Sequence, residues 1–369
     1  MNEGRPGGHP VAVPLLLVGL AAAAYLGWLL RVEIIVLFAS LLFGLSLYQL
    51  ARWLSDKTGI SHQAAVGSWY VGGILFGVLV LMFSAERITD DYGELSERIP
   101  AALEKIQTSV EGTPVLGTLG SQVGDLRSAI MEDGQERSSE TEAEQEQAVN
   151  GQMRFVSISL SVVAYFFVWA ALSFYIASQG QQYLKGALAL IPPDRREVGE
   201  ELFRCLASAL PWWLAGRFAS MAAVTLLTAP GLMLLGIPLP FTLALIAGWF
   251  SFVPMLGPVA STIPAILVTL DAAPQKLFWV LVLYGGIQFL ESYLITPQIQ
   301  KRVASVPPLL LISAQVVMGV LVGIPGVMFS TPIVLTLMVA LQIVYIRHTL
   351  EEQAAPPKDP VCADEEAAA

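Results

Sequence analysis

The sequence predicts an all-α polytopic membrane protein, and three observations lead to that fold class. Hydrophobic residues make up 55% of the chain, charged residues make up only 14%, and the mean hydropathy is +0.64. Several windows contain the roughly 20 apolar residues that a helix needs to cross a bilayer. Two further apolar stretches are too long for one such helix and are interrupted near the middle by Pro and Gly. We therefore expect about six to eight transmembrane helices, two broken segments among them, and a helical extracytoplasmic loop domain.

The apolar windows place the crossing helices along the chain. They lie at 10–30, 34–50, 64–84, 155–176, 218–237 and 277–295. The resulting organisation has six parts: N-terminal transmembrane helices (1–84), an acidic extracytoplasmic helical loop (85–154), a transmembrane helix (155–177), a cytoplasmic amphipathic segment (178–215), a core with two broken helical hairpins that we interpret as a transport core (216–346), and a cytoplasmic tail (347–369).

The Lys and Arg residues of the short connections predict the orientation, because short cytoplasmic loops carry an excess of them. One set of connections holds Arg52, Lys57, Lys185, Arg195, Arg196, Arg204, Lys301, Arg302 and Arg347. The opposite short connections hold little beyond Arg31 and Lys276. We therefore expect a multi-pass protein of the inner (cytoplasmic) membrane, with both termini in the cytoplasm and the long loop outside.

The net charge of −10 lies mainly in the long loop at 85–154, which has 15 Asp or Glu and 6 Lys or Arg. Apolar residues recur three or four positions apart in its first part, which indicates a helix with one apolar face. An acidic surface argues against binding to nucleic acid and to anionic lipid headgroups. Solvation of an external domain is the simplest role for this charge, and attraction of cations is the alternative.

The two broken segments share a pattern of short apolar halves separated by helix-breaking residues. They run over 241–270 and 309–346, with Pro254, Gly257, Pro258 and Pro264 in the first and Gly323 and Gly326 in the second. Most halves are too short to cross alone, so re-entrant hairpins are the favoured interpretation, although 327–346 has the length to cross. Backbone groups freed at such breaks must be buried in protein or line a watery cavity. The two units 217–270 and 277–346 are expected to form inverted repeats, as in many secondary transporters.

Glu291 is the acidic residue that lies well inside an apolar window, where a charge is costly unless it faces protein or water. Gln288 and Ser292 lie on the same side of its helix, and Gln315 is the corresponding polar residue in the second broken segment. We predict that these four side chains and the Pro and Gly residues of the breaks form a pathway for a solute or an ion. A structural role for Glu291, paired with the basic residues at 301–302, is the equal alternative.

Several classes of function have no motif to support them. The chain has no GxxxxGK[ST] loop, so an ATP-driven pump is not expected. It also has neither HExxH nor CxxC, and its three His are scattered near termini or loops. We therefore expect no cofactor, no metal site, no nucleic acid partner and no enzyme activity. The expected partners are a small polar solute or a monovalent cation, and the lipid bilayer.

The region 216–345 carries an ordered series of Pro and Gly motifs. The series is Phe252-Val253-Pro254-Met255-Leu256-Gly257-Pro258, Ile263-Pro264-Ala265, Gln288 through Pro297 with a Gln-x-x-Glu element, Val306-Pro307-Pro308, Gly323-Ile324-Pro325-Gly326 and Thr331-Pro332. This order resembles the autoinducer-2 exporter (AI-2E) family of permeases, and the resemblance covers most of the chain. Members of that family are credited with exporting the signalling molecule autoinducer-2 or with exchanging sodium or lithium for protons. The resemblance also implies a homo-oligomer, with a pentamer among the expected forms.

Three functions follow as hypotheses. The first is a secondary transporter of a small polar solute or signal, with its site between the two broken segments and Glu291 coupling or gating it. The second is a sodium or lithium/proton antiporter in which Glu291 alternates between a proton and a metal ion. The third is a non-transporting membrane scaffold whose outer acidic helices bind a partner.

Overall fold

The computed structural model describes residues 12–75, 79, 143–295, 297 and 306–347, and helices dominate these residues, with no strand among them. In chain order the helices are α1 (Ala12–Leu29), α2 (Arg31–Thr58), α3 (described over 62–75), α4 (Ala143–Ala189), α5 (Arg196–Leu235), α6 (Pro240–Phe250), α7 (Leu256–Ala272), α8 (Leu277–Leu290), α9 (Pro308–Val322) and α10 (Ile324–Ala340). Turns of π-helix extend α8 over Glu291–Ile295 and α10 over Leu341–Arg347.

Five helices of the described residues are long and apolar enough to cross a membrane. They are Arg31–Thr58, Val163–Ala189, Pro193–Leu235, Pro274–Ile295 and Ile324–Tyr345. The predicted windows at 10–30 and 64–84 are helical over 12–29, 64–75 and at residue 79, while Leu30 forms a turn. Shorter apolar helices form the rest of the two broken segments. The predicted all-α polytopic membrane fold is therefore confirmed, whereas residues 85–142 of the acidic loop and the tail beyond Arg347 lie outside the described residues.

Two long helices pass through predicted domain boundaries. Helix α4 runs through residue 178 with a kink at Gln179, where φ is −126° and ψ is 24°. Helix α5 is 40 residues long and runs through residue 216, and it contains Pro211 and Pro230. Proline removes a backbone hydrogen bond and favours bending, so these residues mark points where α5 can flex. The functional division at 178 and 216 stays a prediction.

Helix α5 lies at the centre of the described bundle, packed against α2, α6, α8 and α10. Leu210 of α5 belongs to a cluster with Leu42 of α2 and Leu335 of α10, and all three side chains are fully buried. Nearer its C-terminus, Leu232 belongs to a second cluster to which α6, α7 and α8 contribute. One helix therefore joins the N-terminal part of the bundle to both broken segments.

The end of α5 is fixed to the start of α8. Gly236 terminates α5 with φ 62° and ψ 41°, and its N–H and that of Ile237 donate to carbonyls of the last turn. This is the glycine-terminated cap that left-handed backbone permits. The Nζ of Lys276 donates to the Leu235 carbonyl at 2.7 Å, which places a positive charge at the negative end of the helix. The hydrogen bond thus holds the C-terminal end of α5 at a fixed distance from the N-terminal end of α8. These two helices border the cavity that is described in the next subsection.

Candidate functional site

The first broken segment reverses direction between α6 and α7, at residues 251–255. Met255 has φ 68° and ψ −53°, and the Leu256 N–H donates to the Pro254 carbonyl at 2.9 Å, which forms a tight γ-turn. Gly257 follows in the first turn of α7, where an added Cβ would lie 1.8 Å from the Phe250 carbonyl oxygen. The ends of the two helices therefore approach each other through their backbones, and only glycine fits at 257.

The second broken segment changes direction at Gly323, between α9 and α10. Gly323 has φ 78° and ψ −150°, a backbone conformation that is open to glycine and costly for other residues. A Cβ added at Gly326 would lie 2.2 Å from the Met318 carbonyl oxygen, and the two helices pack against each other. Both stretches are therefore interrupted where the Pro and Gly residues predicted it, while re-entry into the membrane stays a prediction.

Gln315 connects the two broken segments. Its Nε2 donates to the Pro254 carbonyl at 2.7 Å, and its side chain is fully buried. The same carbonyl accepts the γ-turn hydrogen bond from Leu256, so the backbone oxygen at this break is satisfied twice by protein. The Oε1 of Gln315 is buried and has no hydrogen-bond partner among the described residues. The side chain of Gln315 in the second broken segment therefore stabilises the backbone turn of the first broken segment.

Glu291 is buried in the first residue of the π-turn that extends α8. Its Oε1 accepts a hydrogen bond from the hydroxyl of Ser220 on α5 and lies 3.8 Å from Nη1 of Arg217 on the same helix. Its Oε2 is buried and has no hydrogen-bond partner within the described part of the chain. Glu291 therefore pairs with a cation of a neighbouring crossing helix, and the basic residues at 301–302 lie outside the described residues.

Arg217 is a residue that reasoning from the sequence missed. It is buried, and its guanidinium carbon lies 6.0 Å from the ring centroid of Trp213, within the range of a cation–π interaction. The sequence does contain an indication of its importance, because Arg217 is the one charged residue between Arg204 and Asp271. Arg217 and Glu291 are the charged side chains that are buried among the described residues.

A cavity of about 200 Å³ lies between the first broken segment, α5 and α8. Its polar lining consists of Thr228, Ser251, Ser261, Thr262, Tyr284 and Gln288, and none of the described residues that line it is charged. Three of these hydroxyls donate to backbone carbonyls: Ser251 to Ala247, and Ser261 and Thr262 to Pro258. The hydroxyls of Thr228 and Tyr284 are buried and have no hydrogen-bond partner among the described residues. Two residues that line the cavity thus carry buried hydroxyls that no described residue satisfies, and buried polar groups usually have a partner, which a bound polar molecule can supply.

The structure places the predicted site residues at several separate positions. Pro258 and Gln288 line the cavity; Pro254 and Gln315 are hydrogen-bonded across the two breaks; Glu291 forms the buried ion pair.

Ser292 is exposed and accepts a hydrogen bond from Gln288 Nε2 at 3.1 Å. Gly257 and Gly326 allow the close backbone contacts, Gly323 forms the second break, and Pro264 lies inside α7. The cavity therefore lies against the first broken segment rather than between the two.

Comparison with known proteins identifies the family. The sequence model of a protein family, described as AI-2E family transporter, matches residues 15–346 of this chain. MT0215 of Mycobacterium tuberculosis (strain CDC 1551 / Oshkosh), named a transport protein, is 25% identical over 348 residues, which cover 89% of this chain and 88% of that one. YrrI and YueF of Bacillus subtilis (strain 168), also named transport proteins, are 25% and 24% identical over 47% and 50% of this chain. The chain spans about half the length of these two relatives, 50% and 51%. Because the family model matches nearly the whole chain, the chain belongs to the AI-2E transporter family.

Proposed function

We propose that this chain is a secondary transporter that moves a small polar solute or signal across the inner membrane of the cell. The observation that carries the proposal is the cavity against the first break, where the buried hydroxyls of Thr228 and Tyr284 have no partner among the described residues. Membership of a transporter family and five helices long enough to cross a membrane support it. Broken helices that border a cavity inside the membrane are a recurring way to build a transport site.

The size and lining of the cavity indicate the class of solute. A volume of about 200 Å³ is below the roughly 300–1,000 Å³ of sites for drug-sized ligands and equals the share of on the order of seven waters. None of the described lining residues is charged, and the hydroxyls of Thr228 and Tyr284 are its polar groups without a partner among the described residues. Most of the described lining surface is apolar, so the cavity favours a small neutral molecule that combines an apolar part with a few hydrogen-bonding groups.

The elements around the cavity also suggest how it opens. Helix α7 contains Pro264, and α5 contains Pro230, so both walls include a point of backbone flexibility. The hydrogen bond from Gln315 to the Pro254 carbonyl ties the second broken segment to the turn between α6 and α7, and both of these helices contribute residues to the cavity. In the proposed cycle a movement of one break is transmitted to the other, as alternating access between inverted repeats requires. Glu291, one turn beyond Gln288 on α8, gates or couples this movement.

The proposal includes the remaining organisation predicted from the sequence. Both termini lie in the cytoplasm, the acidic loop lies outside, residues 216–346 form the transport core, and the chain assembles as a homo-oligomer such as a pentamer. The distribution of Lys and Arg supports the orientation. The exposed apolar side chains of α5 and α9, such as Leu226, Leu234 and Val320, suit contact with lipid or with other copies.

Transport by purified protein in liposomes tests the proposed function. We expect autoinducer-2 to move across the membrane under a pH gradient, with sodium measured in parallel. Tyr284→Phe and Thr228→Val each remove one unpartnered hydroxyl while keeping the shape of the side chain. Loss of one hydrogen bond to a neutral solute is expected to raise KM about three- to tenfold.

Ser251→Ala is the matched control, because the hydroxyl of Ser251 lines the same cavity but already donates to the Ala247 carbonyl at 2.8 Å. Its KM is expected to stay within about twofold of the wild type, since no free donor is lost. A protein that moves neither compound, or a Tyr284→Phe variant with unchanged KM for every transported solute, contradicts the proposal.

A further inference from the structure

The pairing of Arg217 with Glu291 has a consequence for the ions that this carboxylate can bind. Only one of its oxygens, Oε1, is engaged by Ser220 and approached by Arg217, while Oε2 has no partner among the described residues. The Arg217 nitrogen lies 3.8 Å from Oε1, beyond the 2.7–2.9 Å of a strong charge-assisted hydrogen bond. Arg217 therefore neutralises the charge of the buried Glu291 carboxylate, while Oε2 accepts no hydrogen bond from the described residues.

The guanidinium of Arg217 is held in place from two sides. The ring of Trp213, itself buried, lies one turn earlier on α5, with its centroid 6.0 Å from the guanidinium carbon. Glu291 lies on the other helix. Because the positive charge is fixed within a few ångströms of the carboxylate, a metal cation that approached Oε2 would meet strong repulsion.

We infer that Arg217 is a specificity-determining residue that excludes monovalent metal cations from the carboxylate of Glu291. The like-charge repulsion at this spacing corresponds to a loss of sodium affinity on the order of 100-fold or more. This inference rests on the proposed function and deepens it, since it separates transport of a neutral solute from transport of sodium.

Removal of the positive charge should create a sodium site. Arg217→Gln leaves the carboxylate of Glu291 without a neighbouring cation and adds an amide oxygen to the same helix position. Hard cations bind to oxygen ligands of this kind. The double variant Arg217→Gln/Glu291→Gln loses the carboxylate and should lose the site, while Arg217→Lys keeps a positive charge and should behave as the wild type.

Thermal unfolding of the purified full chain measures this binding without any transport assay. Each protein is compared in sodium chloride and in choline chloride at equal concentration. We expect no difference for the wild type, for Arg217→Lys and for the double variant. For Arg217→Gln we expect a Tm higher by roughly 3 °C in sodium, because a ligand that binds the native state raises its stability.

Two results would overturn the inference. The first is a sodium-specific rise in Tm of the wild type that Glu291→Gln abolishes, and this result is informative even if Arg217→Gln does not fold. The second is a folded Arg217→Gln variant with the same Tm in both salts. Neither result depends on whether the reconstituted protein transports a solute, so failure of this inference is distinguishable from failure of the proposed function.

Discussion

Gly257→Ala is expected to abolish transport and to destabilise the protein by about 3 kcal/mol, at the upper end of overpacking effects. The added Cβ would lie 1.8 Å from the carbonyl oxygen of Phe250. That neighbour is backbone at the end of α6, so no side-chain rotation can relieve the clash, and the turn between α6 and α7 has to open. Thermal unfolding and transport in liposomes measure the two effects.

Gly286→Ala is the matched control for this prediction, because an added Cβ at Gly286 meets nothing within 4 Å. It lies inside α8, where alanine is favoured over glycine by up to about 1 kcal/mol, so its stability should be equal or higher. Gly326→Ala, with the Met318 carbonyl 2.2 Å from the added Cβ, should resemble Gly257→Ala. A Gly257→Ala variant that folds and transports like the wild type contradicts the tight turn.

Glu291→Leu is expected to destabilise the protein by about 3–5 kcal/mol, because Arg217 would remain buried without its partner. Arg217→Leu leaves the carboxylate in the same position and should have a similar effect. The double variant Arg217→Leu/Glu291→Leu removes both charges and should recover most of the loss. Unfolding of the three proteins gives the coupling energy of the pair.

Glu200→Leu is a control at an exposed position, where a change within about 0.5 kcal/mol is expected. Transport by the double variant then separates two roles for the buried pair. A stable double variant without transport supports a role in gating or coupling. A stable double variant with normal transport would show that the pair only stabilises the bundle, and additive single effects would show that the two charges do not interact.

The breaks could be predicted from the sequence because the responsible residues are local. Pro and Gly cluster near the middle of two long apolar stretches, and the structure interrupts the helices there, at 251–255 and at Gly323. The reason for Gly257 and Gly326 is also local, since each contacts a carbonyl of the preceding helix. Crossing helices were equally predictable, because length and hydropathy determine them.

The partners of the buried polar groups could not be predicted, because they are distant in the sequence. Ser220 and Glu291 are 71 residues apart, and Gln315 and Pro254 are 61 residues apart. The pattern of one helix shows that a charge is buried, but only the packing of α5 against α8 selects its partner. Glu291 was therefore recognised as important, whereas Arg217 was not.

The position of the cavity was unpredictable for a related reason. Thr225 and Thr228 look alike in the sequence, yet Thr225 donates to the Met221 carbonyl within its helix, while the hydroxyl of Thr228 has no partner among the described residues. Hydroxyl groups in helices usually bond to their own backbone. The tertiary fold determines which helices pack around each threonine, and that packing determines which hydroxyl lacks a hydrogen-bond partner.

Accessibility of a cysteine inside the cavity tests most directly whether solute passes along the first break. Ser261→Cys lines the cavity, and Thr269→Cys on the same helix is buried but does not line it. In membranes treated with a water-soluble thiol reagent, we expect Ser261→Cys to react, to be protected by transported solute and to lose transport once modified, relative to the wild-type background. Ser261→Cys that reacts no faster than Thr269→Cys, with or without solute, would contradict the pathway.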